Sequence, residues 1–137
     1  MSDNKRILVV DDDIDIVEQV SAALTADGYD VIAGTSQEEG EDLLLSHKPD
    51  LAILDLMMEQ MDSGFMLCHQ LKRLHPETPV IILTAVTATT GISFASRDPE
   101  SRAWIKADLL LDKPVRTEFL RHQVRRLLHE AARVAET

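Results

Sequence analysis

The sequence predicts an α/β fold, a doubly wound sheet of five parallel strands. Three observations predict it. Short runs of Val, Ile and Leu alternate with amphipathic stretches from one end of the 137 residues to the other. Most of those runs are continuously apolar, as expected of parallel strands covered on both faces. No linker, repeat or low-complexity segment interrupts the alternation, and the length suits one core, so residues 1–137 read as a single domain with no output domain. Strict βα alternation then implies right-handed crossovers.

The first strand, Ile7–Val10, ends in Asp11-Asp12-Asp13. Ile14, Val17, Val20 and Leu24 share one helical stripe, with Asp13 serving its N-terminus and Gly28 placed as its C-terminal stop. Tyr29–Ala33 is the second strand. Ser36 and Glu39 form a capping box for a helix through Leu43, Leu44 and Leu45. The third strand, Leu51–Leu54, ends at Asp55. Phe65, Cys68, Leu71 and Leu74 mark a third helix, closed by Pro76 and Pro79. Val80–Leu83 leads to Thr84. Asp98-Pro99 is a start signal for a short helix through Trp104. Leu109–Leu111 precedes Lys113-Pro114, and the last helix begins near Thr117 with Phe119, Leu120, Val124, Leu127, Leu128 and Ala131.

Composition narrows the function. The formal charge is −10, which argues against a nucleic-acid footprint. Arg116, Arg121, Arg125, Arg126 and Arg133 alternate with apolar residues at helical spacing and read as a solvated face. No segment has the apolar length of a membrane span, and no signal region precedes the first strand, so a cytoplasmic location is the expectation. Cys68 reads as a buried structural thiol. His47, His69, His75, His122 and His129 lack metal-ligand spacing and read as surface residues.

In a doubly wound sheet the ligand site lies beyond the carboxyl ends of the strands. The residues there are Asp11, Asp12, Asp55, Thr84 and Lys113. Converging carboxylates repel unless a cation joins them, and Mg²⁺ suits two or three carboxylates completed by water. Lys113 offers an ammonium for a phosphoryl oxygen, and Thr84 a hydroxyl. Together these suit phosphoryl transfer, which is mostly positioning and charge neutralisation. Asp55 is the candidate acceptor, forming an acyl phosphate.

Four segments carry a resemblance: Ile7–Asp13, Pro49–Met58, Leu83-Thr84-Ala85 and Asp112-Lys113-Pro114. In that order, at the ends of alternating strands, they resemble the receiver domain of two-component response regulators, with its flavodoxin-like (βα)5 fold. The resemblance implies that Asp55 is the phosphoacceptor. It implies that Asp12 binds Mg²⁺ directly, Asp11 through water, and that the Met57 backbone carbonyl is a further ligand. Thr84 resembles the switch hydroxyl and Lys113 the lysine that pairs with the phosphoryl group.

The chain departs from the family pattern in places. Glu59 stands where a proline is usual, and Met61-Asp62-Ser63-Gly64-Phe65 is one residue longer than Met-Asp-Gly-Phe. The segment from Thr84 to Lys113 is extended; Thr87–Ser96 reads as a surface loop, with Phe94 the one residue favouring a binding element. Leu110 replaces the usual aromatic three positions before the lysine, so Phe94 or Trp104 is the expected reporter of phosphorylation.

The resulting expectation is a stand-alone phosphorylation switch, monomeric or weakly dimeric. A sensor histidine kinase or histidine phosphotransfer protein would phosphorylate it. A downstream protein would read it through the Asp98 helix, the fifth strand and the last helix. A phosphate-independent interaction module is the alternative. An aspartyl phosphatase acting on external substrates fits worse, because Met57 occupies the usual place of its second aspartate. The chain is thus expected to act only in its own phosphorylation and dephosphorylation.

Overall fold

Every apolar run singled out above forms a strand. The computed structural model describes residues 4–56, 58, 63–84 and 107–136, with side chains as far as Ala131. Strands β1 (Arg6–Val10), β2 (Asp30–Gly34), β3 (Leu51–Asp55), β4 (Val80–Thr84) and β5 (Leu109–Asp112) run between helices α1 (Ile14–Ala26), α2 (Gln37–Ser46), α3 (Ser63–Leu74) and α4 (Thr117–Glu136). The Asp98–Trp104 helix, Thr87–Ser96, Met57, Glu59, Met61 and Asp62 lie outside the described residues.

All pairings are parallel, in the order β2-β1-β3-β4-β5. The chain steps from β1 outward to β2, then crosses back past β1 to β3. The winding therefore reverses between β1 and β3, and a crevice opens beyond their carboxyl ends.

Side chains alternate between the two faces of the sheet. Ile7, Val9, Leu51, Ile53 and Ile81 pack with Val17, Val20 and Leu24 of α1 and with Leu120, Val124 and Leu127 of α4. Leu8, Val10, Ala52, Leu54 and Ile82 pack with Leu44 of α2 and with Leu67, Cys68 and Leu71 of α3. Each fully buried Leu or Ile contributes on the order of 2 kcal/mol, and the three central strands are buried along nearly their whole length.

Apolar content alone misjudges the strand ends. The β3 ladder continues through Asp55, opposite Leu83, and β4 through Thr84, opposite Asp112. β2 starts at Asp30 because the Tyr29 amide donates to the Leu24 carbonyl at 3.1 Å, closing α1. Gly28 completes that stop with φ +96°, a conformation that favours glycine. Ser36 caps α2 as expected, but Glu39 reaches past it to accept from the Thr35 amide at 2.7 Å. Four of the apolar helix residues singled out above face outward: Ile14, Leu45, Leu74 and Phe119 are exposed. Leu45 and Phe119 each sit one position, about 100° of helix, from the buried Leu44 and Leu120.

Candidate functional site

Asp11 follows β1 and is fixed from two sides. Its amide donates to the Gly34 carbonyl at 3.2 Å, and its Oδ1 accepts from the Asp13 amide at 2.9 Å. Asp13 in turn caps α1 by accepting from the Asp15 amide, the structural role its sequence position indicates. Asp12 stands beside them, exposed. Asp55 is the last residue of β3 and 5 % exposed. Being within the ladder, it is held by the sheet and not by a loop.

Lys113 enters from the far side. Its amide donates to the Thr84 carbonyl at 2.8 Å, tying the ends of β4 and β5 together. Its Nζ lies 3.0 Å from Asp11 Oδ2 and 3.1 Å from Asp55 Oδ1. Thr84 itself is buried at the end of β4. The structure therefore brings Asp11, Asp12, Asp55 and Lys113 together, with Thr84 at the end of the neighbouring strand. The Met57 carbonyl, expected as a metal ligand, lies outside the described residues.

Among the described residues, the charges in this pocket do not balance. Carboxylate oxygens of Asp11, Asp12 and Asp55 all lie within 4.8 Å of one another, and the Lys113 ammonium meets two of the three carboxylates. Burial, then the charge of Asp11, pushes the Asp55 carboxyl up to about 7; Lys113 offsets only part of this. Burial works against the Lys113 ammonium, but the Asp11 hydrogen bond and the charges of Asp11 and Asp55 outweigh it. Its pKa is raised, so it stays charged. Hard oxygen donors with an uncompensated negative charge fit a small divalent cation such as Mg²⁺.

The family model for the response regulator receiver domain matches residues 7–125. The chain belongs to that family. Among curated relatives, the response regulator MprA of Mycolicibacterium vanbaalenii is 36 % identical over 123 residues, covering 90 % of this chain and 50 % of the relative. The alkaline phosphatase synthesis transcriptional regulatory protein PhoP of Bacillus subtilis is 42 % identical over 82 residues, 60 % of this chain and 34 % of that protein. The receiver thus spans about half the length of the first of these relatives. A CheY-like receiver domain from Methanospirillum hungatei superposes with a TM-score of 0.79 at 26 % identity, over 95 % of this chain and 98 % of that one. Receivers act in two-component signalling as phosphorylation-dependent switches, and the doubly wound sheet expected above is theirs.

One residue at this receiver's site was not singled out from sequence. Gly64, in the first turn of α3, donates its amide to the Leu56 carbonyl at 2.7 Å, directly behind Asp55. Two signals could have marked it: a glycine inside a helical pattern close after an acidic strand end, and its match to the glycine of the family's Met-Asp-Gly-Phe.

Proposed function

We propose that Asp55 accepts a phosphoryl group from a phosphohistidine donor, with Mg²⁺ bound by the acidic pocket, and that the resulting change is read by protein contact. The observation that carries this reading is the Lys113 ammonium placed between Asp11 and Asp55, at 3.0 Å and 3.1 Å. Such a cation orients the acceptor carboxylate and then meets the added phosphoryl oxygens.

In the transfer, a carboxylate oxygen of Asp55 forms the new P–O bond as the donor's N–P bond breaks. The departing imidazole nitrogen keeps the electron pair. Asp12, Asp11 and Asp55 would hold Mg²⁺, with the Met57 carbonyl as a further ligand, and the ion would neutralise charge on the phosphoryl oxygens. Thr84, at the end of β4, would hydrogen-bond the phosphoryl group once it is on Asp55. The chain takes part only in its own phosphorylation and dephosphorylation.

The donor is a sensor histidine kinase or a histidine phosphotransfer protein, encountered in the cytoplasm. Among the described residues no helix is long and apolar enough to cross a membrane. The added phosphate brings about two negative charges and strong acceptors, which bias the fold between two surfaces. β5 and α4 are the described part of the output face. β5 is the half-buried edge of the sheet, and Phe119 of α4 is 48 % exposed.

Incubation with Mg²⁺ and acetyl phosphate, read by intact mass, tests the reading. The expected result is one added phosphate in the wild type and none in Asp55→Asn. An adduct that survives Asp55→Asn, or no adduct with acetyl phosphate or phosphoramidate, would refute it.

A further inference from the structure

We propose that Gly64 is a positioning residue for Asp55: lacking a side chain, it lets the first turn of α3 close onto the backbone of Asp55 and Leu56, and so sets where the Asp55 carboxylate stands relative to Asp11 and Lys113. This inference rests on the phosphoacceptor reading above.

The requirement at Gly64 is for space. Among the described glycines only Gly28 has a positive φ, so Gly64 adopts a backbone open to any residue. A Cβ there would nevertheless overlap the Asp55 carbonyl oxygen, and would lie 2.6 Å from Leu56 Cα and 3.0 Å from the Asp55 carbonyl carbon. All three are backbone atoms, and their strand cannot simply swing aside. Asp55 pairs with Leu83, and the Leu56 amide donates to the Leu83 carbonyl at 2.9 Å. From the other side, the Gly64 amide pulls the Leu56 carbonyl in at 2.7 Å. Glycine is a poor helix former, so α3 accepts a local penalty to make this approach.

Gly40 supplies the contrast within the same molecule. It too lies in a helix, and a Cβ on it would be crowded, by Leu67 Cδ1 at 3.0 Å, Leu67 Cδ2 at 3.1 Å and Val10 Cγ2 at 3.2 Å. Those are side-chain ends that yield by small rotations. Relief at Gly40 leaves the acidic pocket in place, whereas relief at Gly64 displaces the peptide that carries Asp55. Displacing a reacting group by about 1 Å costs up to about a hundredfold in rate.

Gly64→Ala and Gly40→Ala are compared with the wild type at a temperature where circular dichroism shows the variants folded. The readouts are the acetyl phosphate reaction at saturating Mg²⁺ and Mg²⁺ affinity by calorimetry. For Gly64→Ala the maximal phosphorylation rate should fall about ten- to a hundredfold and Mg²⁺ binding should weaken. Gly40→Ala should match the wild type in both, whatever its melting temperature. Equal rates and affinities in the two variants would overturn the proposal.

If Gly64→Ala does not fold, amide exchange in the wild type decides. A Gly64 amide protected like those of β3 supports a closed seat; fast exchange refutes it. If the wild type takes no phosphate, the phosphoacceptor reading falls, and the Mg²⁺ affinities of the two variants still decide the role of Gly64.

Discussion

Asp55 and Lys113 set each other's charge, and that coupling makes one carboxylate both a candidate acceptor and a destabilising group. Burial and the neighbouring Asp11 push its carboxyl up to about 7, against the pull of Lys113. An acid whose folded pKa lies above its unfolded value holds its proton more tightly when folded. Its contribution to stability therefore falls as pH rises from the ordinary carboxylate range through about 7, and stays lost above that. Asp55→Asn removes the charge while keeping the shape. In EDTA at about pH 8 it should melt at a higher temperature than the wild type, and the difference should shrink as the pH is lowered toward about 5. A variant that melts below the wild type at the higher pH would show that the Lys113 contact outweighs the repulsion from Asp11.

At this scale the sequence was informative because each site residue ends a run of apolar residues. Asp11, Asp55 and Thr84 are conspicuous as polar groups where buried strands stop, and Lys113 stands just past the half-buried β5. Gly64 is marked only by its place in the family's Met-Asp-Gly-Phe pattern, which says nothing of its role. Its role comes from two backbones touching in space, and nothing in Ser63-Gly64-Phe65 records which atoms a missing Cβ would have met.

Between elements, two charged clamps hold the layers together. Arg121 of α4 grips the Asp27 carboxylate at the end of α1, with Nε donating to Oδ2 at 2.8 Å and Nη2 to Oδ1. Lys72 of α3 donates to the Thr78 carbonyl at 2.7 Å and to Asp108 Oδ2 at 2.8 Å, and the same Asp108 oxygen accepts from the Val80 amide. The second clamp thus joins α3 to the starts of β4 and β5. Neither was legible in the sequence, where the Arg-rich helix read as a solvated face. Asp27 and Arg121 are 94 positions apart, and periodicity says which face of a helix is apolar but not which distant charge its rim will meet.

The hydrogen bond from Arg121, with its charge, holds the Asp27 carboxyl below its ordinary value despite some burial. A carboxylate with a lowered folded pKa stabilises the protein above its unfolded pKa and loses that contribution as pH falls through the folded one. Arg121→Gln should therefore lower the melting temperature at neutral pH, with the deficit narrowing in acid below the carboxylate range. Because the arginine is partly exposed, added salt should also shrink the deficit. A deficit unchanged by acid and salt would point instead to lost packing of the arginine stem.

Across the whole molecule, the reversal of winding between β1 and β3 is what turns separate strand ends into one pocket. β1 supplies Asp11 and Asp12, β3 supplies Asp55, and β4 and β5 bring Thr84 and Lys113 to the same edge of the sheet. A cation bound there joins groups from β1 and β3 that otherwise repel, so its binding free energy adds to the stability of the entire sheet. A ligand that binds only the folded state raises stability by RT ln(1 + L/Kd), where L is the free ligand concentration. Protons compete for the same oxygens, since burial and Asp11 push the Asp55 carboxyl up to about 7. Mg²⁺ should therefore raise the melting temperature more at about pH 8 than at about pH 6. Asp12→Asn, which removes an exposed carboxylate without touching the Lys113 contacts, should reduce the increment at both. Scanning calorimetry with and without Mg²⁺ measures this directly. An increment equal in Asp12→Asn and wild type would mean that the ion acts somewhere other than the end of β1.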